Sequence, residues 1–130
     1  MSQVNHPSHY NQTNFECIEL VRYMSFNLGN AVKYLWRYQD KANPIEDLEK
    51  ALWYIDDEIK HKSKVEYFEP ELKPAALKAL KSLASQSNYH AIKEIYFAHY
   101  STLHKYRALV TAKKQIRLLI KSEEEANENN

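Results

Sequence analysis

Apolar residues recur at the helical period through most of this sequence. From Pro44 to about residue 62 they come at steps of three or four, as Ile45, Leu48, Leu52, Ile55 and Ile59. Proline suits the first helical position, where the backbone N–H has no partner within the helix. Weaker versions of the same spacing predict helices over residues 16–25, 30–41, 74–83, 89–104 and 106–122. The pattern therefore predicts an all-α fold, a compact domain of about six helices.

Segments without a helical period separate and flank these helices. We expect Phe26-Asn27-Leu28-Gly29 to break the chain between the first two helices. The first 14 residues carry turn formers and are expected to form an ordered arm, whereas the final SEEEANENN is expected to be solvated and disordered. The expected organisation is a core domain over 1–62, a helical extension over 63–122 and a disordered acidic tail over 123–130.

Composition excludes several function classes. One glycine in 130 residues leaves no room for a Walker A loop or a dinucleotide-binding fingerprint. A single cysteine, Cys17, permits no internal disulfide and fits a reducing compartment. No apolar run approaches the roughly 20 residues that span a bilayer, and the N-terminus lacks the features of a secretory signal. We therefore expect a cytoplasmic protein with no membrane partner.

Charge is unevenly distributed although the formal net charge is only +1. Residues 1–59 carry 5 basic and 9 acidic side chains, and residues 60–121 carry 13 basic and 4 acidic ones. The last nine residues add four glutamates. The middle of the chain is therefore strongly basic between two acidic segments.

The outward face of the second predicted helix is a candidate phosphate site. Its residues fall at steps of three and four and share one stripe: Asn30, Lys33, Tyr34, Arg37 and Lys41. Arginine offers a planar fork to phosphate oxygens and lysine a point charge. The pattern places Gly29 and Asn30 at the helix start, where free backbone N–H groups favour an anion. A solvated basic face accounts for the same spacing.

The next helix begins with acidic residues that could hold Mg²⁺ against a phosphate. Glu46 and Asp47 are the candidate metal ligands, and Asp47, Lys50 and Tyr54 share one face. Acidic side chains in a first turn also stabilise the helix dipole, and Glu46 with Lys50 forms an ordinary i,i+4 pair. Spacing alone leaves both interpretations open.

Two further groups of residues stand out at the ends of the chain. In the arm, Pro7 fixes the backbone beside His6, His9 and Tyr10, which can hydrogen-bond to a ligand or to the fold. In the last predicted helix a basic stripe could attract an acidic partner: Arg107, Lys114, Arg117 and Lys121. No nucleic-acid-binding motif accompanies this stripe, so nucleic acid is not the expected partner, and a solvated face explains it equally well.

Three blocks in order resemble the SaV-like family of small tailed-phage proteins: VNHPSHYN, then FECIELVRYM, then LGNAVKYLWRYQDKANPIEDLEKALWYID. They match the family's HPxHY arm, GNAxKYxxRxxxK helix and EDLxKAxWYL helix from residue 4 to about residue 60. The chain departs from the pattern at Ala42-Asn43-Pro44, where relatives often have glycine, but asparagine tolerates turn geometry. The resemblance implies phage or prophage origin, and hence the host cytoplasm. Residues from 61 onward have no counterpart in it.

The family is similar to a nucleotide kinase of coliphage T-seven that works without a Walker motif, so the resemblance implies nucleotide binding or nucleotide chemistry. Carried over by motif, the implicated positions are His6, His9, Tyr10, Asn30, Lys33, Tyr34, Arg37, Lys41, Glu46, Asp47, Lys50, Trp53 and Tyr54.

The leading hypothesis is a nucleotide-binding protein with Mg²⁺-dependent nucleoside monophosphate kinase activity. Lys33, Arg37 and Lys41 would neutralise phosphates, with Lys33, Arg37 and Asp47 as the catalytic set. Asp47 or Glu46 would hold the metal, and Tyr34 or Trp53 would stack on a base. Such a site is small for two nucleotides, so we expect a homo-oligomer with sites at subunit interfaces.

Two other hypotheses remain open at this stage. The first is a non-enzymatic phage protein that binds and inhibits a host or defence component through its basic C-terminal half. The second is an all-α nucleotide pyrophosphatase, with carboxylate pairs Glu16-x-x-Glu19 and Glu46-x-x-Glu49 around Mg²⁺. The further acidic pair that such an enzyme needs is not convincing in this sequence.

Overall fold

The computed structural model describes residues 17–40, 42–61, 74–101 and 103–129. Within these residues the chain forms six α-helices, one 3₁₀ turn (Tyr38–Asp40) and no strand, which confirms the predicted all-α class. The predicted arm, residues 62–73 and Lys41 lie outside the described residues. None of the described helices is long and apolar enough to cross a membrane. The helices are α1 (Cys17–Val21), α2 (Phe26–Arg37), α3 (Pro44–His61), α4 (Pro74–Lys81), α5 (Tyr89–His99) and α6 (Lys105–Glu128).

Helices α2 and α3 form an antiparallel pair. Asn27 near the start of α2 donates a hydrogen bond to Glu58 near the end of α3, while Tyr34 stacks on Tyr54 farther along the pair. The short connection between the helices is closed by Asn43, whose Oδ1 accepts a hydrogen bond from the Glu46 backbone N–H at 3.2 Å. This side-chain cap satisfies one of the N–H groups that a helix start leaves without a partner.

A single hydrophobic core joins both halves of the chain. Leu35 of α2, Ile55 of α3, Tyr96 of α5 and Ile116 of α6 are all fully buried within one cluster of apolar side chains. Full burial of a side chain of this size stabilises the fold by about 1.5–3 kcal/mol. The helices of the predicted extension therefore pack into the same core as α2 and α3, and α6 contacts both α3 and α5.

The expected break at Phe26-Asn27-Leu28-Gly29 is wrong, because α2 begins at Phe26. Asn27 and Leu28 point into the protein, and their buried contacts outweigh the weak helix propensity of this segment. Gly29 lies inside the helix, and its N–H donates to the Ser25 carbonyl oxygen at 2.8 Å.

The C-terminal boundary also differs from the prediction. We expected disorder from residue 123, but α6 continues to Glu128, and residues 124–129 are exposed. Glutamate and alanine are good helix formers, and extending an existing helix needs no new nucleus. No proline or glycine interrupts residues 105–129, so the helix runs on after its last buried residue, Ile116.

Candidate functional site

An open groove of about 310 Å³ lies between α2 and α3, lined by Tyr34, Lys50, Trp53 and Tyr54. The last three residues are at i, i+3 and i+4 on α3 and therefore share one face. The antiparallel pairing of the helices brings Tyr34 across to them. All four belong to the nucleotide-binding set indicated by the sequence.

Aromatic rings form one continuous surface around this groove. The rings of Tyr34 and Tyr54 stack with centroids 5.9 Å apart and planes 13° from parallel. Trp53 and Phe26 each meet Tyr54 edge-on, at 5.1 Å and 6.0 Å. Trp53 is 60% exposed and Phe26 is 75% exposed, so both rings offer free surface to a ligand. Sequence reasoning missed Phe26 because it placed a chain break there.

Three cationic side chains surround the Tyr34 ring. Lys33 Nζ lies 4.9 Å from the ring centroid, Lys50 Nζ lies 5.5 Å from it, and Arg37 Cζ lies 5.9 Å from it. These distances are within the range at which a cation is attracted to an aromatic face. The groove therefore combines a stacking surface with positive charge from both helices.

The positive charge reaches the buried thiol of Cys17. Burial raises the pKa of Cys17 to about 12, while the charges of Lys33 and Arg37 act in the opposite direction. The thiol is consequently protonated at neutral pH. Cys17 is a core residue rather than a nucleophile.

The two candidate metal ligands have different surroundings. Glu46 Oε2 accepts a hydrogen bond from Asn43 Nδ2 at 3.2 Å, and its Oε1 pairs with Lys50 Nζ at 3.0 Å. The bond and the charge of Glu46 are the main reasons why the pKa of Lys50 is raised, and Asp47 adds to the effect. Asp47 is 5% exposed, and its Oδ2 has no hydrogen-bond partner within the described part of the chain.

The arrangement of carboxylates bears on the metal hypothesis. Among residues 17–40, 42–61, 74–101 and 103–129, no three His, Cys, Asp or Glu side chains converge to hold a metal ion. Glu46 is committed to its cap and to Lys50, so Asp47 is the carboxylate with spare acceptor capacity. Mg²⁺ commonly takes only one or two protein carboxylates together with substrate phosphates.

The remaining predicted positions have mixed outcomes. Asn30 Nδ2 donates to the Phe26 carbonyl oxygen at 2.8 Å, one turn earlier in the same helix. The anion site expected at Gly29 and Asn30 is wrong, because α2 starts at Phe26 and these N–H groups lie inside it. Four predicted positions and one alternative ligand lie outside the described residues: His6, His9, Tyr10, Lys41 and Glu16.

The basic stripe lies on a different element from the groove. Arg107, Lys114, Arg117 and Lys121 are exposed on the side of α6 opposite its buried residues. None of the four forms an ion pair with another described residue. The neighbouring Lys113 does, because its Nζ contacts Asp56 Oδ1 of α3 at 2.5 Å.

Sequence reasoning also missed a buried polar network near the C-terminal end of α3. Glu58 is fully buried and accepts hydrogen bonds from Asn27 Nδ2 at 3.3 Å and Lys105 Nζ at 2.7 Å. His99 lies close to the same charges, and burial lowers its pKa, as does Lys105. The sequence could have indicated this network, because Glu58 comes one turn after Ile55 and therefore lies on the inward face of α3.

Fold and site together define a small all-α protein with a cation-rimmed aromatic groove. Residues 4–56 are similar to a family, DUF3310, described as a protein of unknown function. The groove residues fall within this matched stretch, whereas α4, α5 and α6 fall outside it. No curated protein and no solved structure matches the chain.

Proposed function

We propose that the groove between α2 and α3 binds a nucleotide, and that the chain is a phage-encoded protein of the SaV-like family that its motifs resemble. The observation that supports this proposal is the grouping of three cations around a stacked aromatic pair. Bases stack on exposed aromatic rings, and phosphate oxygens bind to lysine and arginine.

The geometry suggests separate roles for the aromatic and the cationic residues of the groove. Among the three aromatic residues that line the groove, Trp53 has the largest exposed ring, and it would stack on the base. Lys50 and Lys33, on facing helices, would neutralise the phosphate, with Arg37 as a third cation. The volume of about 310 Å³ is at the lower end of ligand pockets, which suits one mononucleotide rather than two.

Kinase activity is the extension of this proposal. Lys33 and Arg37 would stabilise the charge of a transferring phosphoryl group, and Asp47 would hold a Mg²⁺ ion that supplies further positive charge at the phosphates. The spare acceptor capacity of Asp47 Oδ2 supports this role. Because the groove suits one nucleotide, the second would be held outside it, which is consistent with the expected homo-oligomer.

Thermal-shift measurements with nucleoside mono-, di- and triphosphates and Mg²⁺ test the binding proposal. A ligand at 100 times its dissociation constant adds about 2.7 kcal/mol to the free energy of unfolding. We expect this shift to disappear in Lys50→Ala and in Trp53→Ala, which both replace exposed side chains. Lys78→Ala and Phe97→Ala are matched controls, since they remove an exposed cation and an exposed ring elsewhere. No shift with any nucleotide contradicts the proposal.

A turnover assay separates a kinase from a protein that only binds. Purified protein is incubated with ATP, Mg²⁺ and each common nucleoside monophosphate, and diphosphate products are separated by ion-exchange chromatography. We expect diphosphate to form and Asp47→Asn to abolish it while nucleotide binding persists. Binding without turnover leaves a nucleotide-sequestering protein and contradicts the kinase. Pyrophosphate release from triphosphates alone indicates the pyrophosphatase hypothesis.

The exposed basic stripe favours a second candidate function, inhibition of an acidic host or defence component. Its supporting observation is the absence of ion pairs for Arg107, Lys114, Arg117 and Lys121 within the described residues. Under this hypothesis Lys114→Glu with Arg117→Glu abolishes inhibition of the host process, and Lys50→Ala leaves it intact. Inhibition that survives Lys114→Glu with Arg117→Glu but is lost in Lys50→Ala contradicts this hypothesis.

A further inference from the structure

The outward face of α6 is a continuous stripe with two oppositely charged parts. Residues on this face recur at steps of three and four along about 32 Å of helix, which is the spacing of a helix-pairing seam. From residue 105 to 121 the helix carries basic and no acidic side chains. From residue 122 to 128 it carries four glutamates and no basic side chain. The stripe runs through Arg107, Val110, Lys114, Leu118, Lys121, Glu125 and Glu128.

The acidic end of α6 is placed unfavourably within a single copy. A helix C-terminus carries partial negative charge, so glutamates in the last turns are repelled by the helix itself. None of the four glutamates forms an ion pair with another described residue, and residues 124–129 are exposed. A positive surface outside this copy would offset both effects.

Exposed apolar side chains lie on the same stripe. Leu118 is 67% exposed and Val110 is 45% exposed, and Lys114 lies between them along the stripe. Leu118 and Lys121 lie on either side of the midpoint between Lys114 and Glu125. A stripe with an apolar side chain near its centre and opposite charges toward its two ends is the layout of a self-complementary interface.

We propose that α6 pairs with α6 of a second copy of this chain, running in the opposite direction. In a two-fold dimer, if residue i of one copy contacts residue j of the other, residue j of the first copy also contacts residue i of the second. An antiparallel arrangement centred between Leu118 and Lys121 sets Lys114 of each helix against Glu125 of the other and keeps the two Leu118 side chains close to the axis. A parallel arrangement would set like charges against each other.

The pairing is expected to be weak and sensitive to salt. One helix face buries less surface than a stable obligate dimer, and exposed ion pairs contribute little each. Raising the ionic strength from about 0.05 M to about 1 M shortens the screening length severalfold and should dissociate the dimer. The inference does not depend on nucleotide binding, because the groove lies on α2 and α3.

Charge-swapped variants of the full chain test this dimer by sedimentation equilibrium. One variant carries Arg107→Glu, Lys114→Glu and Arg117→Glu, and the other carries Glu124→Lys, Glu125→Lys and Glu128→Lys. We expect each alone to weaken dimerisation by roughly 30-fold or more, and an equimolar mixture to restore a heterodimer. All six positions are exposed, so circular dichroism should show unchanged folding.

A matched control reverses three exposed cations elsewhere: Lys60→Glu, Lys78→Glu and Lys81→Glu. Its change in net charge equals that of the variant with Arg107→Glu, Lys114→Glu and Arg117→Glu. This control is expected to dimerise like the natural chain. A natural chain that is monomeric up to several hundred micromolar at low salt overturns the proposal. Dimerisation that survives both charge-swapped variants, or a mixture that stays monomeric, overturns it as well.

Discussion

At the scale of single residues, a buried ion pair joins α3 and α6. Lys105 Nζ donates to Glu58 Oε2 at 2.7 Å, with the Lys105 side chain 13% exposed and the Glu58 side chain fully buried. Removing one partner of such a pair leaves an uncompensated charge in a low-dielectric interior. The pair ties the start of α6 to the end of α3.

We predict that Lys105→Ala lowers the free energy of unfolding by about 3–5 kcal/mol, measured by urea denaturation. Lys113→Ala is the control on the same helix, because it breaks the more exposed pair with Asp56 and should cost about 0–1 kcal/mol. Equal losses in the free energy of unfolding for the two variants would show that an unpaired Glu58 carboxylate is not costly in the interior.

His99 makes stability depend on pH. Burial, together with the nearby Lys105 charge, lowers the pKa of His99 below its ordinary value of 6.5, although a bond to the Tyr23 backbone and the charge of Glu58 oppose this. The unfolded chain therefore binds a proton on this residue at a higher pH than the folded one. Stability is retained above the ordinary pKa and falls as pH drops below it.

We predict that thermal stability decreases between about pH 7.5 and about pH 5.5, and that His99→Gln reduces this decrease. His90→Gln, which changes an exposed histidine, should leave the pH profile unchanged. A His99→Gln profile identical to that of the natural chain would rule out His99 as the source.

Residue-level prediction from the sequence succeeded where helical spacing was the signal. Spacing placed Lys50 and Tyr54 on one face, the family resemblance added Trp53, and all three line one groove with Tyr34. Phe26 and Glu58 were missed, since their surroundings depend on how α2 and α3 pair across the molecule. Asp47 was placed in the correct turn, but its burial follows from tertiary packing that spacing does not give.

At the scale of elements, α3 was predictable and α2 was not. A proline start and five periodic apolar residues predicted the bounds of α3 to within one residue. In α2, a glycine and an asparagine suggested a break, yet the segment is helical because Asn27 and Leu28 are buried. The end of α6 was missed for a related reason, since polar composition does not stop an established helix.

Gly29 offers a test of this account of α2. A Cβ at this position would meet the Val21 side chain at 3.7 Å and the Met24 side chain at 3.8 Å, which are ordinary van der Waals contacts. We predict that Gly29→Ala stabilises the fold by about 0.5–1 kcal/mol, because alanine is the better helix former. The melting temperature should rise. A bulkier Gly29→Leu should give no gain, since its longer side chain has to displace the Val21 and Met24 side chains, and a loss of stability in Gly29→Ala would contradict a helical Gly29.

At the scale of the whole molecule, one core supports two separate surfaces. The aromatic groove lies on α2 and α3, and the charged stripe lies on α6, which contacts α3 and buries Leu109, Ala112 and Ile116 in the shared core. The sequence indicated the division of charge but not the single core, because long-range packing between halves leaves no periodic signal. Nucleotide binding and self-association are therefore expected to respond to different substitutions.

The central claim, nucleotide binding in the α2–α3 groove, is tested most directly by mapping a nucleotide onto the protein. Amide chemical shifts of ¹⁵N-labelled protein are followed by NMR during titration with nucleoside mono- and triphosphates. We predict saturable shifts of the amides of residues 33–37 and 50–54 and of the Trp53 indole N–H, with α6 unaffected. Shifts confined to α6, or no shifts at millimolar nucleotide, would contradict this account.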